Sequence, residues 1–129
     1  YHKWVDATKN AIKRMRDNGF THTLIVDAPN WGQDWTNTMK NNMQQIFEAD
    51  PQRNTILSVH MYEVYDGTWP IEQYLQPFLD NKIPVMVGEF GHQHGNPPKN
   101  VDKDYILSFT YNNGIGALAW SWSGNGGGV

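Results

Sequence analysis

The sequence predicts an α/β protein built on a parallel sheet. Two observations carry that reading. Four amphipathic helix patterns alternate with four short apolar strands along the chain, and the repeat is about 30 residues, the length of a βαβ unit. A third observation concerns polar side chains. Asp27, His60 with Tyr62, Glu89 and Trp120 each stand at the C-terminal end of a successive strand.

The first helix is predicted over roughly 4–18, where Trp4, Ala7, Ala11 and Met15 recur at helical spacing and Gly19 supplies a stop. A strand follows in 22–28. The second helix, roughly 35–49, places Met39, Met43, Ile46 and Phe47 on one face, and Asp50-Pro51 leads to a strand over 55–62. Ile71, Tyr74, Leu75, Phe78 and Leu79 mark the third helix, with Pro70 suited to its first turn. Pro77 within it is expected to remove a hydrogen bond or force a kink. A strand over 84–90 comes next. The fourth helix, capped by Asp102, presents Tyr105, Ile106 and Phe109 and stops at Gly114, and the last strand runs over 116–122.

Four such units make half of an eight-stranded barrel, and a doubly wound four-stranded sheet is the competing architecture. A doubly wound sheet gathers its ligand groups at one switch point. Here four consecutive strands all present reactive or ring-bearing groups at their C-terminal ends, which is the habit of a (β/α)8 barrel. The fold class expected is therefore half of a (β/α)8 TIM barrel over residues 1–125. The glycine run in 126–129 is expected to be a flexible tail, since no helix follows it to make a phosphate cradle.

Composition narrows the function. The 129 residues carry a formal net charge of −3 with mixed signs, so no basic patch points to nucleic acid. No apolar run approaches the roughly 18 residues of a membrane span. There is no cysteine, which excludes disulfides and thiolate metal sites within these residues. Aromatic residues number 17, six of them Trp, and flat ring faces suit the C–H faces of sugars as well as a core.

Side chains alternate along a strand, so His60 and Tyr62 are expected on one face, and Glu89 on the inward row with Val85 and Val87. Gly88 and Gly91 leave open backbone beside that carboxylate. Plainer readings stand beside the functional ones. Glu89 could pair with a lysine, and His60 could be a bonded core residue. Trp31 and Trp35 could be loop anchors packed inward, and Trp122 is expected to pack. His92-Gln93-His94 is thin as a metal site and is expected to be a solvated loop.

The stretches Gly88-Glu89-Phe90-Gly91, Ser58-Val59-His60-Met61-Tyr62 and Ala119-Trp120-Ser121-Trp122-Ser123-Gly124-Asn125 closely resemble glycoside hydrolase family 5. Val26-Asp27-Ala28-Pro29-Asn30-Trp31-Gly32-Gln33-Asp34-Trp35 looks like the bacterial β-mannanases of that family. The resemblance covers essentially the whole chain, from just after the fourth barrel strand to just after the eighth. It implies that Glu89 is the nucleophile and that Tyr62 hydrogen-bonds and orients it. His60 would line the subsite of the reacting sugar, Trp120 would be the stacking platform, and Trp31 would form part of the substrate cleft.

Retaining hydrolysis needs a second carboxyl group about 5 Å from the first. In the resembled family it is the Glu of an Asn-Glu-Pro motif ending the fourth strand, and no such motif occurs here. Asp27 and Glu63 lie near the mouth without a reason to face Glu89. The resemblance therefore implies an acid/base in an N-terminal half, no cofactor, and little activity for this chain alone. Expected partners are a β-mannan or β-glucan and either the matching half-barrel or a second copy paired through edge strands. An exported, extracellular enzyme is expected by the same analogy. Endo-β-1,4-glucanase is the nearest alternative activity, and a non-catalytic carbohydrate-binding half-barrel is the alternative of another class.

Overall fold

The computed structural model describes residues 2–95 and 97–123. Its element order is α1 (His2–Asp17), β1 (Leu24–Asp27), α2 (Thr38–Glu48), β2 (Thr55–Met61), a 3-10 turn (Glu63–Tyr65) and α3 (Thr68–Asp80). Then come β3 (Val85–Phe90), β4 (Gln93–His94), β5 (Lys99–Asn100), α4 (Lys103–Asn112) and β6 (Gly116–Ala119). The large sheet has the order β1-β2-β3-β6, and every neighbouring pair is parallel. This is the four-stranded half-barrel architecture the sequence predicts. The residues assigned to a flexible tail lie outside the described residues.

The helices cover one face of the sheet. Leu57, Val59, Met61 and Val87 of the strands are fully buried there against Met39, Ile46, Ile71, Leu75, Phe78 and Ile106 of the helices. Burial of each such side chain contributes about 1.5–3 kcal/mol, so this layer is the main source of stability. The opposite face is bare at its rims: Ile25 on β1 is 58% exposed and Leu118 on β6 is 56% exposed.

The stripe read on α1 needs correction. Val5, Ile12 and Arg16 are the buried positions, whereas Met15 is exposed and, with Ala11, borders a surface depression beside β1. Both stripes share the helical period, so spacing alone did not choose between them. Arg16 is buried because its guanidinium forks onto Asp50, with Nε and Nη2 at 2.9 and 2.8 Å from the two carboxylate oxygens. The same group donates to the carbonyls of Phe20, His22 and Asn54, tying α1 to the chain entering β1 and β2.

Helix α3 runs through Pro77. Proline there deprives the Gln73 carbonyl of its partner, and Gln73 is exposed to water. Pro77 also sits in the last turn, where its own carbonyl accepts from the Asn81 backbone and side-chain N–H groups. The capping role expected of Asp102 is present, its carboxylate accepting from the Tyr105 amide at 3.3 Å.

Strand β3 contains one residue too many. Val59 pairs with Val87, yet the next residue, His60, pairs with Glu89; on the other side Val87 and Phe90 pair with Ala117 and Ala119. An extra residue inserted in one strand is a β-bulge, and it reverses the facing of the residues beyond it. Val85, Val87 and Phe90 are all buried in the helix-facing core. Glu89 therefore does not share a face with Val85 and Val87, as alternation predicted; the bulge turns it to the opposite side.

Candidate active site

The inner face of the sheet collects the polar strand ends into one cleft of about 890 Å³. Asp27 closes β1, His60 lies near the end of β2, Tyr62 follows it, Glu89 lies on β3 and Trp120 follows β6; all five line the cleft. Trp31 and Trp35 line it from the loop after β1.

Glu89 is the centre of this arrangement. The Tyr62 hydroxyl donates to Glu89 Oε2 at 2.9 Å, and His60 Nδ1 lies 3.5 Å from the same oxygen. The far nitrogen of His60, Nε2, is 3.2 Å from Asp27 Oδ1, so the imidazole bridges two carboxylates from neighbouring strands. Burial pushes the Tyr62 hydroxyl well above the usual tyrosine range, and the bond to Glu89 and the charges of Glu89 and Glu63 push it the same way. It stays protonated and acts as a donor at any physiological pH. The Glu89 carboxylate is about one-third exposed, so its bonding to Tyr62 leaves it open to the cleft.

The loop after β1 is held in a costly conformation. Asn30, Trp31, Asp34 and Asn37 all have φ between 50° and 61°, and Gly32 has φ 80°. Non-glycine residues rarely occupy this region, and each costs about 1–2 kcal/mol. Buried hydrogen bonds compensate. Asp34, fully buried, accepts from the amides of Met39 and Lys40 at the start of α2 and from the Tyr74 hydroxyl at 2.7 Å. Tyr65 donates to the Gln33 carbonyl at 2.5 Å. Burial raises the hydroxyls of Tyr65 and Tyr74, with the charge of Asp34 adding to both, so both remain donors.

Two results of that pinning reach the cleft. The Gly32 carbonyl accepts from the His60 amide at 2.8 Å, and a Cβ on Gly32 would meet His60 Nδ1 at 2.3 Å. Only glycine permits this approach. Trp31 is carried outward, 83% exposed, with the Trp35 ring 5.7 Å away and tilted by 31°. Neither is an inward anchor. Trp122, which the sequence assigned to packing, is fully exposed.

Sequence reasoning missed a second cluster. His94 does not sit in a solvated loop: it lies on the short β4–β5 hairpin, its Nδ1 is hydrogen-bonded to Glu63 Oε2, and its ring stacks on Tyr62 at 4.5 Å. Burial pushes the Glu63 carboxyl up, but its own backbone amide, His94 and Gln33 outweigh this and hold it below the usual range. The sequence signal was faint: Glu63 directly follows Tyr62, and His94 belongs to the His-Gln-His run. Among the described residues no three His, Cys, Asp or Glu side chains converge as a metal-binding set.

Residues 1–126 match the family model described as Cellulase (glycosyl hydrolase family 5). The chain is 53% identical over 131 residues to the mannan endo-1,4-beta-mannosidase of Streptomyces lividans, an alignment spanning all of this chain and 33% of that protein. It is 52% identical to beta-mannanase/endoglucanase A of Caldicellulosiruptor saccharolyticus, over 97% of this chain and 9% of that one. Its fold superposes on the beta-mannanase of Thermomonospora fusca with a TM-score of 0.91 at 51% identity, covering 98% of this chain and 41% of that structure. The same enzyme in complex with mannohexaose gives a TM-score of 0.87. The chain thus spans between 9% and 41% of the length of each of these relatives.

Proposed function

The chain belongs to glycosyl hydrolase family 5, and from that premise we propose that it is the nucleophile-bearing part of a retaining endo-β-1,4-mannanase. One observation carries the reading. Glu89 faces an open cleft at the C-terminal ends of parallel strands, with the Tyr62 hydroxyl at 2.9 Å and His60 at 3.5 Å on the same oxygen. A carboxylate so held keeps its second oxygen, Oε1, for attack.

Glu89 attacks the anomeric carbon of a bound mannosyl unit. A C–O bond forms to the carboxylate as the glycosidic C–O bond breaks, and the leaving oxygen takes a proton from a second carboxyl group; water then cleaves the glycosyl-enzyme with that second group acting as base. Trp120 and Trp31 offer ring faces to the sugars flanking the reacting bond. No cofactor enters this chemistry.

The second carboxyl group is expected outside this chain, at the end of a preceding strand. An acid at neutral pH needs a raised pKa, and Glu63 is held low by His94 and Gln33. Asp27 is committed to His60 Nε2 and is mostly exposed. The bare Ile25 and Leu118 flank the two open sheet edges, where a matching N-terminal half-barrel would cover them. Pairing with a second copy would cover the same edges but bring no new acid. A polysaccharide too large to cross a membrane also favours an exported enzyme.

Purified chain is expected to cleave mannan negligibly, and mixing with the matching N-terminal half is expected to restore hydrolysis that Glu89→Gln abolishes. Mannan cleavage by the chain alone, sensitive to Glu89→Gln, would overturn the division of the carboxyl groups. The glucanase alternative draws on the name of the Caldicellulosiruptor relative. Faster release of sugar from carboxymethyl cellulose than from mannan by the complete barrel would favour it.

A further inference from the structure

The Glu63–His94 pair lines the cleft and has no part in the chemistry described. We infer that it is a clamp holding Tyr62 against Glu89, which makes His94 a positioning residue for the nucleophile. The inference rests on Glu89 being that nucleophile.

Tyr62 and Glu89 belong to the ends of two different strands, and Tyr62 itself lies beyond β2, outside the ladder that fixes Met61. Its ring is buried at the edge of the core, 5% exposed, and a 2.9 Å bond to Glu89 also requires the ring's orientation to be fixed. His94 supplies that restraint, its ring stacked on Tyr62 with 4.5 Å between centroids and 29° between planes. Offset stacking of this kind adds to simple burial. His94 is fixed in turn. Its backbone is paired with Lys99 across the hairpin, the Val101 amide closes onto the His92 carbonyl at 3.1 Å, and Nδ1 bonds Glu63.

Glu63 is the residue after Tyr62 and opens the 3-10 turn that the Tyr65 amide closes onto the Tyr62 carbonyl at 2.9 Å. The three side chains thus form a closed circuit: a peptide bond joins Tyr62 to Glu63, a hydrogen bond joins Glu63 to His94, and a ring stack returns to Tyr62. It fastens the end of β2 to the loop leaving β3, the two places whose side chains meet at Glu89. A displacement of about 1 Å at a reacting group costs on the order of 100-fold in rate.

Treating the chain with N-acetylimidazole and reading each tyrosine by peptide mass spectrometry tests the clamp without catalysis. Tyr62 is expected to be protected in the unmodified chain, in His92→Ala, whose side chain is exposed, and in His94→Phe, which keeps the stack. In His94→Ala it is expected to react at least about tenfold faster, as for a locally opened side chain, while core-buried Tyr74 stays protected. A reactive Tyr62 in the unmodified chain, an unchanged rate in His94→Ala, or Tyr74 reacting alongside Tyr62 would overturn the clamp. In the complete barrel, His94→Ala is expected to lower kcat about 10- to 100-fold with KM within about twofold, and to add nothing to Tyr62→Phe. Additive losses would also overturn it. Failure of the unmodified barrel to hydrolyse mannan would instead count against the proposed function, and the acetylation result would still decide the clamp.

Discussion

Replacing Gly32 by alanine separates backbone strain from crowding at His60. At φ 80° an L-residue bears about 1–2 kcal/mol of strain. The new Cβ would also lie 2.3, 2.4 and 2.7 Å from His60 Nδ1, Cγ and Cδ2. Ordinary contact lies at about 3.5 Å or beyond, so ring or loop must give by about 1 Å. The loop cannot retreat freely, because the Gly32 carbonyl bonds the His60 amide at 2.8 Å. The imidazole is the part that yields, and it leaves Glu89 and Asp27. Gly19→Ala is the control: its φ is 86°, but a Cβ there meets nothing within 4 Å. Urea unfolding of the chain should show about 1–2 kcal/mol lost in Gly19→Ala and more in Gly32→Ala. Mannan hydrolysis by the complete barrel should be unchanged in the first and fall about 100-fold in the second. Equal stability and equal activity for the two variants would refute the contact as the reason for glycine at 32.

Two further predictions concern stability. Hydrogen bonds from Arg16 hold the Asp50 carboxyl well below the usual range against its burial, with help from Thr55 and the amides of Gln52 and Asn54. That contribution is complete above the unfolded-chain value near 4 and is lost as pH falls below it towards the depressed folded value. Melting temperature should therefore drop from about pH 4 downward, and Asp50→Asn should be less stable at pH 7 with a shallower acid slope; parallel acid limbs for both proteins would count against the pairing. Phe78→Ala removes a fully buried ring of α3 and should cost about 3–5 kcal/mol. Against a usual total of about 5–15 kcal/mol, a chain with two open sheet edges should be largely unfolded by it at 37 °C, which circular dichroism would register.

The architecture was legible because hydrophobic period and strand-end polarity agree. Met39, Ile46, Ile71, Leu75, Phe78 and Ile106 were all readable as core from spacing, and all are buried. On α1 two stripes were possible, and the burial of Arg16 through Asp50 is a long-range fact that local spacing does not contain. Tyr62 beside Glu89 was readable only through resemblance, since strand pairing decides which ends meet. The Glu63–His94 bond joins residues 31 apart, one in a 3-10 turn and one on a hairpin, and the hairpin that brings His94 inward is only two residues per strand. Nothing periodic marks so short a pairing.

The surplus residue in β3 has a consequence for anyone altering this sequence. Which way the carboxylate at 89 points is settled by a count, not by its neighbours' chemistry: were the same residues laid out in regular alternation without the bulge, position 89 would share the face of Val85 and Val87 and aim the acid at the helices. Gly88 also faces the Ser58 hydroxyl so closely that any side chain there would overlap it, at 2.1 Å. Shuffling or grafting this strand between scaffolds thus has to preserve an odd insertion that no substitution table scores.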